Sequence, residues 1–107
     1  MKIVVVSGGF DPLHSGHIAY FKSARKLGDK LVVAVNSDDW LTRKKGRPFM
    51  PFHERCNIIQ ELGCVDQVIG FNDEDDTACN AIFQMLSTKT RSDTVIFANG
   101  GDRTSDN

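Results

Sequence analysis

Two short runs in this chain are apolar at every position: Ile3 to Val6 reads IVVV and Leu31 to Val35 reads LVVAV. A strand with one face in water alternates apolar and polar residues. A continuous β-branched run instead calls for cover on both faces, as in a parallel sheet flanked by helices. Parallel neighbours need a crossover, and the sequence supplies one. Ile18, Phe21, Ala24 and Leu27 recur every three residues along one helical face, while Lys22, Arg25 and Lys26 point elsewhere.

The rest of the chain keeps that rhythm. Ile58, Ile59 and Leu62 predict a helix, Gln67 to Phe71 a strand, and Thr94 to Ala98 a last strand. Between these strands, Ala78, Ile82, Met85 and Leu86 have the i, i+4, i+7, i+8 spacing of a further helix, with Thr77 or Asp76 as its cap. Alternating strands and helices with no linker indicate one Rossmann-like, doubly wound α/β domain over residues 1–107, with helices on both faces of a parallel sheet. Such sheets bind ligands beyond the carboxyl ends of their strands. The loops to watch are therefore 7–15, 36–51, 72–76 and 99 onward.

Composition narrows the function classes. A formal net charge of −1 gives no basic field for general nucleic-acid binding. No run approaches the ~20 apolar residues of a membrane span, and the first apolar run is too short for a signal-peptide core. Cys56, Cys64 and Cys79 are odd in number, widely spaced and outside any CxxC pattern, which suits reduced thiols. The expectation is a cytoplasmic protein without nucleic-acid or membrane partners. Its modest core would gain from a second subunit, so a homodimer is expected.

The chemistry concentrates in GGFDPLHSGH, Gly8 to His17, between the first strand and the first helix. It is neither GxGxxG nor a P-loop. Gly8 and Gly9 would let backbone N–H groups approach a ligand, and Gly16 removes a side chain beside the imidazoles. His14 and His17, three apart at a helix start, lie on one side and could both donate to one phosphate, where the helix N-terminus already favours an anion. The spacing alone also allows incidental capping residues, or a metal pair that lacks a third ligand.

Other residues carry weaker signals. Asp11 could orient the turn by accepting from nearby backbone donors or could contact an acceptor. Phe10 reads as buried packing rather than a stacking platform, and Asp38 as either the cap of the segment after it, the preferred reading, or a partner that supports the loop. Trp40 is a core or interface anchor. RKKGR, Arg43 to Arg47, reads either as a solvated charge run or as a mobile loop able to fold over phosphates. The acidic run Asp73 to Asp76 precedes a helix and fits complementation of its dipole better than a metal site.

GGFDPLHSGH following a first strand resembles the HxGH signature of the cytidylyltransferase-like nucleotidyltransferase superfamily. The likeness extends through AYFKSARKLGDKLVVAVNSDDW, Lys44 and the HER of His53 to Arg55. It is nearest in look to glycerol-3-phosphate cytidylyltransferase and to the adenylyltransferase domain of ADP-heptose synthesis. The resemblance implies transfer of CMP or AMP from CTP or ATP, with a lean toward CTP, to a phosphorylated small-molecule acceptor, releasing pyrophosphate. Mg2+ would accompany the triphosphate.

It further implies that His14 and His17 hold the triphosphate and that Lys44 bridges the nucleotide and acceptor phosphates. Arg55 would lie near the active site, and Gly101 and Asp102 near the nucleotide. Two departures stand out: Gly9 replaces a threonine or serine, and Gly46 replaces a lysine. Relatives continue into a further strand and a helix with an ISTT-like segment, so the chain is expected to be a piece whose C-terminal part is missing. The rival reading is a non-catalytic nucleotide-binding or regulatory domain that keeps the HxGH clamp.

Overall fold

The computed structural model describes residues 1–98. Four parallel strands, β1 (Lys2–Gly8), β2 (Lys30–Val35), β3 (Gln67–Gly70) and β4 (Thr94–Phe97), form one sheet in the order β3-β2-β1-β4. Helices α1 (Ser15–Arg25), α2 (Asp38–Lys45), α3 (Phe52–Gln60) and α4 (Cys79–Thr88) fill the connections. The chain is the α/β, Rossmann-like domain that its pattern predicts.

The two apolar runs become the central strands, and their alternate residues divide between two cores. Val4, Val6, Leu31, Val33 and Val35 face α1 and α3, meeting Phe21, Ala24 and Ile59. Ile3, Val5, Val32 and Ala34 face the other way, against Ile69 and against Ala81 and Met85 of α4. Each run is continuous in sequence because both of its faces are covered. Progression from β1 through β2 to β3 runs toward one edge, and α4 then carries the chain back past β1 to β4. The winding direction therefore reverses beside β1, the position where open α/β sheets place ligands.

Register brings Gly8, Val35 and Gly70 level at the carboxyl edge of the sheet. Three local expectations change. Residues 38–45, inside the 36–51 segment expected as a loop, form α2, which starts on a Ser37 cap whose side chain accepts from the Trp40 N–H and ends at Gly46, with φ +96°. That backbone angle is costly for any residue with a side chain, which favours glycine at this position. Ala78, rather than Thr77 or Asp76, occupies the cap position of α4, although the Thr77 hydroxyl accepts from the Cys79 N–H at 3.3 Å. Leu27 and Leu86, placed on buried faces by their spacing, are exposed. Among the described residues, no helix is long and apolar enough to cross a membrane.

Candidate active site

The turn after β1 is built around a ring. Phe10 adopts φ +53° and is 5% exposed, with its ring edge-on to both Phe21 and His17 at 5.1 Å between centroids. It is a packing residue, as the sequence suggested. Gly8 and Gly9 make space for the protein itself rather than simply for a ligand. A Cβ on Gly8 would lie 2.8 Å from the Phe10 ring, and one on Gly9 would lie 2.9 Å from Leu41 of α2.

His14 and His17 come together at the N-terminus of α1. Their rings stack at 3.9 Å between centroids, 29° from parallel. His14 is the helix cap: its Nδ1 accepts from the Gly16 N–H at 3.0 Å, while Nδ1 of His17 accepts from the His14 N–H at 3.1 Å. An imidazole nitrogen that accepts a hydrogen bond carries no proton, so each neutral ring holds its proton on Nε2. The cap thus sets both tautomers as Nε2–H donors. Gly16 is required by this packing, because a Cβ there would fall 2.9 Å from Cε1 of His14. The first-turn amides of α1 add their own attraction for an anion.

The remaining charged residues form a scaffold. The Asp11 side chain, 1% exposed, pairs with Lys45 at 2.8 Å and accepts from the backbone N–H groups of Phe49 and Met50. Burial works against its charge, but the Lys45 ammonium and the two N–H donors more than offset this and hold its pKa below the ordinary value. Asp11 therefore fastens the distant 49–50 segment instead of its own turn. Lys45, which sequence reasoning passed over, is its partner.

Arg55 has a fully buried side chain. It donates to the carbonyls of Met50 (3.0 Å), Gly9 (2.8 Å) and Asn36 (2.7 Å), and pairs with Asp38 at 2.7 Å. These contacts join the β1 turn, the end of β2, α2 and the approach to α3. Arg55 is thus a buried brace rather than an exposed phosphate contact, and Asp38 is its counter-ion rather than a cap. Lys44 projects from the last turn of α2, with Nζ 5.4 Å from the centroid of the Trp40 ring. No contact joins it to the histidines among the described residues. Gly101 and Asp102 lie outside the described residues.

The acidic run also has a different task from the one expected, since the first turn of α4 carries no acid. Asp73, 3% exposed, accepts from the side chain of Asn36 (3.0 Å) and from the N–H and hydroxyl of Ser37 (both 2.8 Å). Burial opposes its charge, yet these donors keep its pKa below the ordinary value. Asp76 pairs with Arg43 at 3.0 Å. Together they hold the 73–78 segment against α2, enclosing a cleft of about 210 Å³ lined by Ser7, Gly8, Asn36, Trp40, Phe71 and residues 76–78. No sequence signal singled out this cleft, because its walls come from four separate segments.

The chain is 44% identical over 103 residues to the bifunctional protein HldE of Proteus mirabilis, covering 94% of this chain and 20% of that protein. It is 49% identical over 87 residues to HldE of Erwinia tasmaniensis, covering 79% and 18% respectively. The chain spans about a fifth of the length of these relatives. Among solved structures, the lipopolysaccharide core biosynthesis protein from Thermoplasma volcanium superposes with a TM-score of 0.70 at 28% identity, over 94% of this chain and 97% of that one. Residues 5–106 match the family described as Cytidylyltransferase-like, and the chain belongs to that family.

Proposed function

We propose that this domain transfers a nucleotidyl group from ATP or CTP to a phosphorylated small molecule. An acceptor phosphate oxygen attacks the α-phosphorus in line, and the bond from that phosphorus to the bridging oxygen of the β-phosphate breaks. Pyrophosphate leaves with the bonding electrons. The observation that carries this reading is the stacked His14–His17 pair, fixed as two Nε2–H donors at the mouth of α1.

Those donors, held by the helix cap, would meet the charge that builds on the phosphoryl and leaving oxygens without reorganising. Lys44 would bring a mobile positive charge from the end of α2, and Gly101 and Asp102 would complete the nucleotide side. The 210 Å³ cleft, which shares Gly8 with the turn, offers room for the acceptor. Asp11, Asp38 and Asp73 are each already held by N–H donors or a protein cation. A magnesium ion would therefore be carried by triphosphate oxygens and water, supplying counter-charge. The three cysteines are free thiols, in keeping with a cytoplasmic setting.

The test mixes the chain with magnesium, ATP or CTP, and a panel of sugar, polyol and amino-alcohol phosphates, and follows pyrophosphate. Release with one pairing, abolished in His17→Ala, is the expected result. Nucleotide binding without release from any pairing would replace this reading with that of a non-catalytic nucleotide-binding domain.

A further inference from the structure

The cleft beside the histidine turn has a chemical character of its own. Its volume of about 210 Å³ lies below the ~300–1,000 Å³ of pockets that take drug-sized ligands, so it suits a small acceptor. Trp40 and Phe71 supply flat apolar walls, while Ser7, Asn36, Asp76 and Thr77 supply polar groups. Asp76 is the charged group in this lining. Its backbone is left-handed, with φ +62°, and its N–H donates to the Asp73 carbonyl at 3.0 Å. Arg43 donates to Oδ1 from Nε and Nη2, at 3.3 and 3.0 Å. Oδ2 makes no hydrogen bond among the described residues.

We propose that Asp76 selects the acceptor, its carboxylate accepting hydrogen bonds from hydroxyl groups on the carbon skeleton of a sugar or polyol phosphate. This deepens the transfer reaction proposed above and rests on it. A carboxylate only accepts, so it binds O–H donors and repels a phosphate. The acceptor is therefore oriented, with its hydroxyls at Asp76 and its phosphate toward Gly8 and the histidine turn. A cationic acceptor such as an amino-alcohol phosphate fits less well. Arg43 already balances the Asp76 charge, and the Trp40 ring carries the Lys44 ammonium, which would repel a second cation.

The test uses the full chain labelled with nitrogen-15 and four probes: glucose 1-phosphate, glycerol 3-phosphate, propyl phosphate and phosphocholine. The two hydroxylated probes are expected to shift the Trp40 indole and the Thr77 and Ala78 amide resonances, while the other two leave them in place. Asp76→Ala and Asp76→Asn are expected to weaken hydroxylated probes about tenfold, the loss of one or two hydrogen bonds, without changing nucleotide affinity. Arg43→Met, which keeps the carboxylate, is expected to change acceptor affinity by less than about threefold, the range of a single exposed ion pair. The amide spectrum reports whether each variant is folded.

Propyl phosphate or phosphocholine binding as tightly as the hydroxylated probes would overturn the assignment. So would equal losses in the Asp76 and Arg43 variants, which would mark a purely structural carboxylate. Pyrophosphate release with no Asp76 effect on acceptor KM would sink the selectivity role and leave the transferase standing. Cleft shifts that depend on Asp76, with no release from any pairing, would sink the transferase and leave the selectivity role.

Discussion

The two sides of the candidate site are built in opposite ways. On the α1 side, among the described residues, the hydrogen bonds that hold the His14 and His17 rings span two or three residues, and the rings of Phe10 and Phe21 pack beside them. On the α2 side, each holding contact reaches far along the chain: Arg55 to Gly9 and Asn36, Asp73 to Ser37, Asp11 to Phe49 and Met50. The first side is a local device that the helix end supplies. The second is a mesh of buried charges in which the loss of one member orphans several others.

The sharpest way to break that contrast is at Arg55. Arg55→Met leaves three carbonyls and the half-exposed Asp38 carboxylate without their donor, and each buried acceptor left unpaired costs ~1–3 kcal/mol. The chain is expected to lose most of its stability in urea unfolding. A loss below about 1 kcal/mol would show that the brace is dispensable.

His17→Ala should do the reverse. The removal of one preorganised donor is expected to lower kcat by roughly 10²–10³. Urea unfolding should shift by only ~0.5–2 kcal/mol, the range for losing a helix cap contact.

Asp73→Asn is expected to cost ~1–3 kcal/mol through its three hydrogen bonds. Asp73 and Asp11 both titrate below their ordinary value of 3.8. The stability they contribute is complete above that value and is lost as pH falls through their lowered folded values. Acid unfolding of the Asp73→Asn variant should therefore depend less steeply on pH below 3.8 than that of the parent. Identical slopes would show that the Asp73 carboxylate is not held in its charged form by Asn36 and Ser37.

The smallest effect belongs to Lys45→Met. The two backbone donors to Asp11 remain, and Lys45 itself is 40% exposed. A loss of up to ~1 kcal/mol in thermal unfolding is expected.

The same contrast explains what could be read before the structure. The two apolar runs announce a sheet covered on both sides, and GGFDPLHSGH announces paired imidazoles at a helix start, because both signals are short-range. Helix α2 escaped notice because its apolar content is little more than Trp40 and Leu41, and the charges of DDWLTRKK mask a helix whose packing surface is one residue deep. Asp73 was misread because its partners, Asn36 and Ser37, are more than thirty positions away. The motif position of Arg55 could not separate a residue that touches ligand from one that holds the walls apart. The cleft was invisible for the same reason: no one segment contains it.

The seam between β1 and β4 sets Lys2 opposite Thr94. During synthesis on the ribosome, β1 therefore waits with one hydrogen-bonding edge open until β4 has emerged, and its fully apolar stretch waits for α4 to cover one side. Contacts so far apart close slowly, and the nascent chain passes through a stage in which its most adhesive segment is made but unsheltered. Holding that segment apart from its neighbours until β4 arrives is a task for a chaperone or for fast compaction of the β1-α1-β2 unit.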